Sequence, residues 1–378
     1  MKIQIENGLI LKERSGEAVC EPGILYLEDE RIAGVDRMPE GFVPDRVIDA
    51  GDKLVMPGLV NCHTHTYMSL FRNLADDIAF DEWLFSRIMP MEDRLTPEDA
   101  YWGAALSCLE MIRSGSTAFL DMHMFQGKTA QAALDVGMRG VISRGLTGSG
   151  RDEGGERRIR EAMEEYEEYG KYPTLTFMLA PHAIYTCDTE YLEIIRRKSE
   201  ETGLPIHVHL SETRQEFSDA VKKYGKTPVR YLKDLGLLDR RTVVAHCVQL
   251  TDDDIGILAD TGVHVALNPK SNMKLSNGFA PVEKMLSAGV SLCIGTDSAA
   301  SNNALNLFSE MNMTAMIHKG KLEDARAVTA AEVLHMATEG GADALGIDAG
   351  VLKEGKLADI ILLDLNTPQM CPRNNLIS

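Results

Sequence analysis

The sequence predicts an α/β fold: a (β/α)8 barrel of the TIM type, carrying a small β-sandwich domain built from both chain ends. Three observations predict it. Eight short, β-rich apolar runs follow one another from residue 54 to residue 298, and amphipathic segments separate them. Strands that alternate with helices in this way build a closed parallel sheet. Both ends of the chain instead carry short alternating strands, and polar residues that can bind or react cluster where the eight runs stop.

Residues 1–56 hold the runs "GILYLEDERIAGV" and "DRVIDAGDKLVM", broken by glycine and proline, the pattern of small antiparallel strands. The barrel is expected over 57–345. Its runs are "LVMPGLVNCHTH", "STAFLDMH", "RGVISRGL", "LTFMLAPHAIYT", "PIHVHLSE", "TVVAHCVQL", "VHVALNPKSN" and "VSLCIGTDS". Between them lie helices such as "PEDAYWGAALSCLEMIRSG" and "DTEYLEIIRRKSEETG", the second opening on an Asp cap and closing at glycine. Residues 346–378, with "GVLKEGKLADIILLDLN", return to short-strand character and are expected to complete the small domain as far as this chain carries it.

Charge and composition narrow the function. A formal net charge of −18 disfavours nucleic acid and anionic membranes as partners. With 44% hydrophobic and 25% charged residues the chain is expected to be a soluble globular protein. It shows neither a leader-like start nor a membrane-length apolar run, so a cytoplasmic location is expected. The seven scattered cysteines form no CxxC pair and read as reduced thiols. The glycines of "GSGRDEGG" do not satisfy GxGxxG, which argues against a dinucleotide site.

In a barrel of this kind the reactive groups stand at the C-terminal ends of the strands. Seven of the ten histidines fall there: His63, His65, His123, His182, His207, His209 and His246, with Asp121 and Asp297 beside them. Strand periodicity turns His63 and His65 the same way and Thr64 the other. Together with one histidine of the fifth run, for which His209 is preferred over His207, and with Asp297, they make a set that holds a divalent cation and leaves a position for water. Zinc suits it best, and iron or manganese also fit. Glu212, three residues past His209, is the candidate general acid/base. His246 is placed to polarise a substrate atom. The fourth run, "MLAPHAIYT", offers no bridging lysine, which favours one metal over two.

The motifs "PGLVNCHTH", "HVHLSET", "AHCVQL", "NPKSNMKL" and "GTDSAASNN", in this order, resemble the amidohydrolase superfamily. The likeness runs the length of the chain. With "DEWLFSRIMPMEDRLTPEDA" it resembles most the 5′-methylthioadenosine/S-adenosylhomocysteine deaminase group. That resemblance implies His63, His65, His209 and Asp297 as metal ligands, with Glu212, His246 and Asp297 as the catalytic residues. It implies Trp83, Glu92, Arg144, Arg157, His182 and Ser301 as substrate contacts, with Arg151 and Arg158 standing close to Arg157. The implied reaction is hydrolytic deamination of the adenine ring of 5′-methylthioadenosine, S-adenosylhomocysteine or adenosine. Other rings (guanine, a pterin, a chloro-triazine) and a silent metal-binding scaffold are the rival readings. Homo-oligomers are expected of such barrels. Members of that group usually carry further strands after the position of Ser378, so the small domain is expected to be truncated.

Overall fold

The computed structural model describes residues 1–14 and 17–378. Five strands open the chain: β1 (Lys2–Arg14), β2 (Glu17–Glu28), β3 (Arg31–Val35), β4 (Arg46–Asp49) and β5 (Lys53–Pro57). Eight follow with helices between them: β6 (Leu59–Thr64), β7 (Ser116–His123), β8 (Arg139–Leu146), β9 (Leu175–Pro181), β10 (His207–Leu210), β11 (Val243–His246), β12 (His264–Leu267) and β13 (Ser291–Ile294). A last strand, β14, spans Ile360–Asp364.

β14 pairs antiparallel with β5, so both chain ends contribute to one six-stranded sheet. β1 pairs with β2 along its length, and its other edge changes partner midway, from β4 to β5, across a bulge between Ile5 and Gly8. Gly8 is required there because a Cβ would lie 2.8 Å from that of Ala50. The two halves share one apolar core of Ile5, Ile10, Leu25, Leu27, Ile32 and Val55, onto which Ile360 and Leu362 pack.

The barrel is two four-stranded parallel sheets, β6-β7-β8-β9 and β10-β11-β12-β13, joined at two seams. At the first, Leu179 N–H donates to Pro205 O at 2.9 Å. At the second, Asp297 N–H donates to His63 O at 2.9 Å, and Asn61 exchanges side-chain hydrogen bonds with Thr296 at 2.8 and 3.0 Å. Alternation sorts the strand residues into two layers. Val60, Cys62, Ala118, Leu120, Val141, Met178, Val243, Ala266 and Cys293 gather in one cluster. Their neighbours Leu59, Phe119, Ile142, Phe177, Val244, Val265 and Leu292 join the helices in another. The helix Thr189–Thr202 opens on Asp188, which accepts the Tyr191 N–H at 2.8 Å, and closes at Gly203 (φ +75°), as expected for its sequence.

The first predicted run does not form one strand. Residues 53–57 belong to the small sheet and 59–64 to the barrel, with Gly58 between them. A Cβ at Gly58 would sit 2.7 Å from the Cβ of Thr117, and its N–H donates to Asp359 O at 2.9 Å. The register of β6 on β7 also slips between Asn61 and Thr64, where β6 carries one residue more than its partner. Counting from Val60 and Cys62, plain alternation would turn His63 toward the helices. The bulge instead turns it inward, a common use of bulges beside active sites. Thr64 is fully buried, and its hydroxyl donates to Asp297 O at 3.1 Å.

The β13–β6 seam admits no extra atom at Gly295, where a Cβ would approach His63 N at 2.7 Å and His63 Cβ at 2.8 Å. Gly295→Ala is expected to cost about 1–3 kcal/mol by overpacking. It should lower the midpoint of a fixed-rate thermal scan and, by displacing His63, weaken metal retention. An unchanged midpoint and metal content would show that the seam is slack.

Candidate active site

His63, His65, His209, His246 and Asp297 meet at the C-terminal rim of the barrel, and backbone partners settle which ring nitrogen each imidazole leaves free. His207 Nδ1 donates to Val243 O at 3.0 Å, so His207 Nε2 is an acceptor. His63 Nδ1, 2.9 Å away, is therefore its donor, and His63 Nε2 keeps its lone pair. That atom is buried and has no hydrogen-bond partner among the described residues. His65 Nδ1 donates to Met122 O at 2.8 Å and His209 Nδ1 to His182 O at 2.7 Å, leaving both Nε2 atoms free as well. Backbone acceptors of this kind commonly fix the tautomer of metal-binding histidines.

The free nitrogens converge. His65 Nε2 and His209 Nε2 are 3.3 Å apart, and Asp297 Oδ1 lies 3.6 Å from His63 Nε2 and 3.5 Å from His65 Nε2. Two lone pairs aimed at one point repel, and a cation between them turns that repulsion into binding. With three imidazoles and a carboxylate, the donor set fits a divalent metal. His63 and Asp297 fall in one metal-competent group with His65, and His63 falls in another with His209 and His246. Both ring nitrogens of His207 are engaged with the protein.

Electrostatics separate the two carboxylates of the site. Burial pushes the Asp297 carboxyl up, but His63, His246 and His65 outweigh it and hold the group well below the usual range. Its Oδ2 accepts from Ser271 Oγ at 2.5 Å and Ser301 Oγ at 2.9 Å, and its Oδ1 accepts the Ser298 N–H at 2.7 Å. Glu212 goes the other way: burial, reinforced by the negative charge on Asp297, raises its carboxyl to about 8. Asn277 Nδ2 pins Oε1 at 2.8 Å, and Oε2 lies 3.8 Å from His246 Nε2. His246 (φ +75°) is turned in by left-handed backbone, and its Nδ1 donates to Asn272 Oδ1 at 2.8 Å. Burial lowers His63 to about 4 and His182 to about 3, so both rings are neutral near pH 7.

A cleft of about 400 Å³ opens over these groups. Of the sequence-predicted residues, Trp83, Glu92, Arg144, Arg157 and His182 line it together with His65, His209, Glu212, His246 and Asp297. Trp83 is buried, and its Nε1 has no hydrogen-bond partner among the described residues. Glu92, whose carboxyl is raised by burial, accepts from Tyr67 OH. Arg144 pairs with Glu161 and donates to Met124 O. Arg157 reaches the cleft with its side chain 58% exposed, 3.6 Å from Glu161. Ser301 does not line the cleft: it is fully buried and serves Asp297 instead. A larger cavity of about 690 Å³ lies between the small sheet and the helix Ala330–Ala337. Its one imidazole, His335, is 58% exposed and faces Glu339, so that cavity offers no comparable chemistry.

Sequence reasoning missed the groups that hold the reactive ones. Ser271, Asn272 and Asn277 bond Asp297, His246 and Glu212 respectively, and all three lie in or just after "NPKSNMKLSN". The signal was a dense polar tract closing the seventh run, to which no role had been given. Glu216 was missed as well. Its Oε1 accepts the Ser211 N–H at 3.1 Å and its Oε2 the Glu212 N–H at 2.7 Å, which holds the turn that presents Glu212, with Ser211 in left-handed backbone at φ +51°.

Among known proteins, the amidohydrolase family model matches residues 54–377. The chain is 45% identical to a 5-methylthioadenosine/S-adenosylhomocysteine deaminase of Caldanaerobacter subterraneus, over all of this chain and 88% of that protein. It is 44% identical to a 5′-deoxyadenosine deaminase of Methanothermobacter thermautotrophicus, over 93% of this chain and 83% of that one. A crystal structure of an adenosine deaminase from Xanthomonas campestris with bound zinc superposes with a TM-score of 0.94 at 34% identity, covering all of this chain and 88% of its own.

Glu216→Ala leaves two buried N–H groups without their acceptor, at about 1–3 kcal/mol each, and loosens the turn that presents Glu212, so turnover is expected to fall at least ~10-fold with KM nearly unchanged. Glu216→Gln, which keeps one acceptor, should recover part of that loss in steady-state assays. Equal activity in all three proteins would show that the turn needs no such support.

Proposed function

Because the chain belongs to the amidohydrolase family, we propose that it is a metal-dependent hydrolase that removes the exocyclic amino group from the adenine ring of a nucleoside. The substrate class is 5′-methylthioadenosine, S-adenosylhomocysteine and adenosine, and the products are ammonia and the inosine-type nucleoside. One observation carries this reading above the others: a carboxylic acid raised to about 8, Glu212, stands in the same cleft as the converging Nε2 atoms and a ribose-competent carboxylate, Glu92. The deaminases to which the chain is similar support it.

His63, His65, His209 and Asp297 would hold one divalent cation. Zinc is the proposed metal, with iron and manganese as the alternatives. Bound there, the cation supplies Lewis-acid activation of the attacking water at neutral pH. In its ionised form, Glu212, with Oε1 tethered to Asn277, takes a proton from the attacking water on Oε2; the burial that raises its carboxyl lets it hold that proton and deliver it to the purine ring nitrogen. The water oxygen bonds to the amino-bearing carbon, and His246 Nε2 stabilises the hydroxyl that forms. Asp297 receives the second water proton and returns it to the departing amino group, so ammonia leaves and the ring carbonyl remains. Two carboxyls whose environments drive them apart divide the acid and base roles.

Substrate positioning falls to the cleft walls. Trp83 stacks on the purine and has its indole N–H free to donate. Glu92, with Tyr67 on Oε1, offers Oε2 to the ribose hydroxyls. Arg144, Arg157 and His182 close the remaining side. Ser301, expected from the sequence to touch substrate, acts through Asp297 in this reading. A division into 1–56 with 346–378 as the small domain and 57–345 as the barrel belongs to the same proposal. No helix among the described residues is long and apolar enough to cross a membrane. The net charge of −18 supports an enzyme without nucleic-acid or anionic-membrane partners, and a cytoplasmic location belongs to the same proposal.

Metal-loaded protein should release ammonia from all three adenine nucleosides. Guanine, pterins and chloro-triazines, which lack the ribose that Glu92 accepts, should turn over far more slowly. Glu212→Gln is expected to keep its metal by elemental analysis while kcat falls about 10²–10⁴-fold. His65→Ala and Asp297→Asn should lose the metal itself. A metal-replete sample inert on every aminopurine, or a Glu212→Gln variant with full ammonia release, would overturn the assignment.

Glu92→Gln should raise KM for nucleosides and leave that for the free base adenine unchanged. An equal effect on both would remove Glu92 from ribose recognition.

A further inference from the structure

His123 ends β7 in the wall of the cleft, 2% exposed, and no step of the proposed reaction uses it. Its Nδ1 accepts the Phe125 N–H at 2.6 Å. A proton on Nδ1 would oppose that donor, so the ring carries a single proton, on Nε2. Burial pushes the imidazole well below its ordinary range, which agrees with a neutral ring. Nε2 is itself buried and has no hydrogen-bond partner among the described residues. A buried N–H left unpaired is costly, and native folds keep few such groups. The preceding residue, Met122, gives its carbonyl to His65 Nδ1, so β7 supplies the cleft with an acceptor and a fixed donor from successive residues.

Tyr67 stands across the His123 ring, with centroids 3.7 Å apart and planes at 77°, and its hydroxyl donates to Glu92 Oε1. One phenol thus touches both the imidazole donor and the carboxylate assigned to ribose. A carboxylate only accepts, whereas a ribose hydroxyl both donates and accepts, so Glu92 satisfies the O–H and leaves the oxygen lone pairs unmet. Tyr67 has already spent its proton on Glu92. Two other unpaired donors stand in the wall, Trp83 Nε1 and Arg144 Nε. Trp83 stacks on the purine in the reading above, and Arg144 is turned onto Glu161 and Met124 O. We propose that His123 Nε2–H donates to a ribose hydroxyl oxygen whose proton Glu92 accepts, an inference that rests on the nucleoside reading above. His123 then determines specificity, narrowing the substrates to nucleosides with an intact ribose. A buried site that hydrogen-bonds a substrate hydroxyl rejects the analogue lacking it, because its own groups are left unpaired.

The test is ammonia release by the metal-loaded full chain from adenosine, 2′-deoxyadenosine and 3′-deoxyadenosine. The wild type is expected to favour adenosine over at least one deoxy analogue by ~10-fold or more in kcat/KM. His123→Phe keeps a ring and removes the donor. His123→Asn keeps an acceptor near the Phe125 N–H but does not reach the place of Nε2, and His123→Gln carries an amide N–H toward it. The first two should each lose ~10-fold or more on adenosine, chiefly through KM, and stay near wild type on the disfavoured analogue. His123→Gln should keep part of the preference, and metal content by elemental analysis should match in all four proteins. Should His123→Phe disturb the strand by far-UV circular dichroism, His123→Asn against His123→Gln decides alone. A structural role, such as an N–H contact on the Tyr67 ring, would lower all three substrates equally and leave the preference intact. That result overturns the proposal, as does an active wild type blind to both missing hydroxyls. A wild type inert on all three substrates overturns the nucleoside reading itself, and the role of His123 with it.

Discussion

The site depends on one constraint: three imidazoles must each spend Nδ1 on the protein so that three Nε2 lone pairs meet. The acceptors are Met122 O, His182 O and, through His207, Val243 O. These carbonyls lie on β7, just beyond β9 and on β11, so the ring orientations are set by strands other than those that carry the ligands. Only a closed barrel brings those carbonyls and rings together. The Asp297 N–H on His63 O is at once a seam bond of that barrel and a restraint between two members of the donor set. Fold closure and site geometry are the same hydrogen bonds.

The carboxylates show how a single buried locale supports opposite behaviours. Asp297 has three hydrogen-bond donors and nearby imidazoles and stays ionised. Glu212, a short distance off, accepts from Asn277 and feels the charge on Asp297, which favours its protonated form. The segment of residues 268–277, built on the short helix Pro269–Lys274, supplies Ser271 to the first and Asn277 to the second, and also holds His246 through Asn272. One short segment thus tunes three reactive groups.

Much of this was legible in the sequence, because the barrel writes its strands as separate apolar runs and ends them in polar residues. His63, His65, His209, Glu212, His246 and Asp297 stood out for that reason, and the structure brings them together. What was not legible depends on backbone departures from the regular pattern. Periodicity placed His63 and His65 on one face, but His63 faces inward through a bulge that periodicity does not show. His246 and Asp297 adopt positive φ, which no residue pattern announced. Ser301 was placed by likeness on the cleft wall, yet the short turn from Ser298 folds its hydroxyl back onto Asp297. Ser271, Asn272 and Asn277 were visible as a polar tract, but their partners lie on other strands, and only the closed fold pairs them.

Gly58 gives the small sheet a share in the chemistry. A single residue separates β5 from β6, its N–H is bound to Asp359 beside β14, and Arg139 on β8 pairs with the same Asp359 at 2.9 Å. The strand bearing the paired histidines is therefore anchored at its leading end by a sheet that does not line the cleft. Cutting at the glycine would free the leading end of the ligand strand from that anchor.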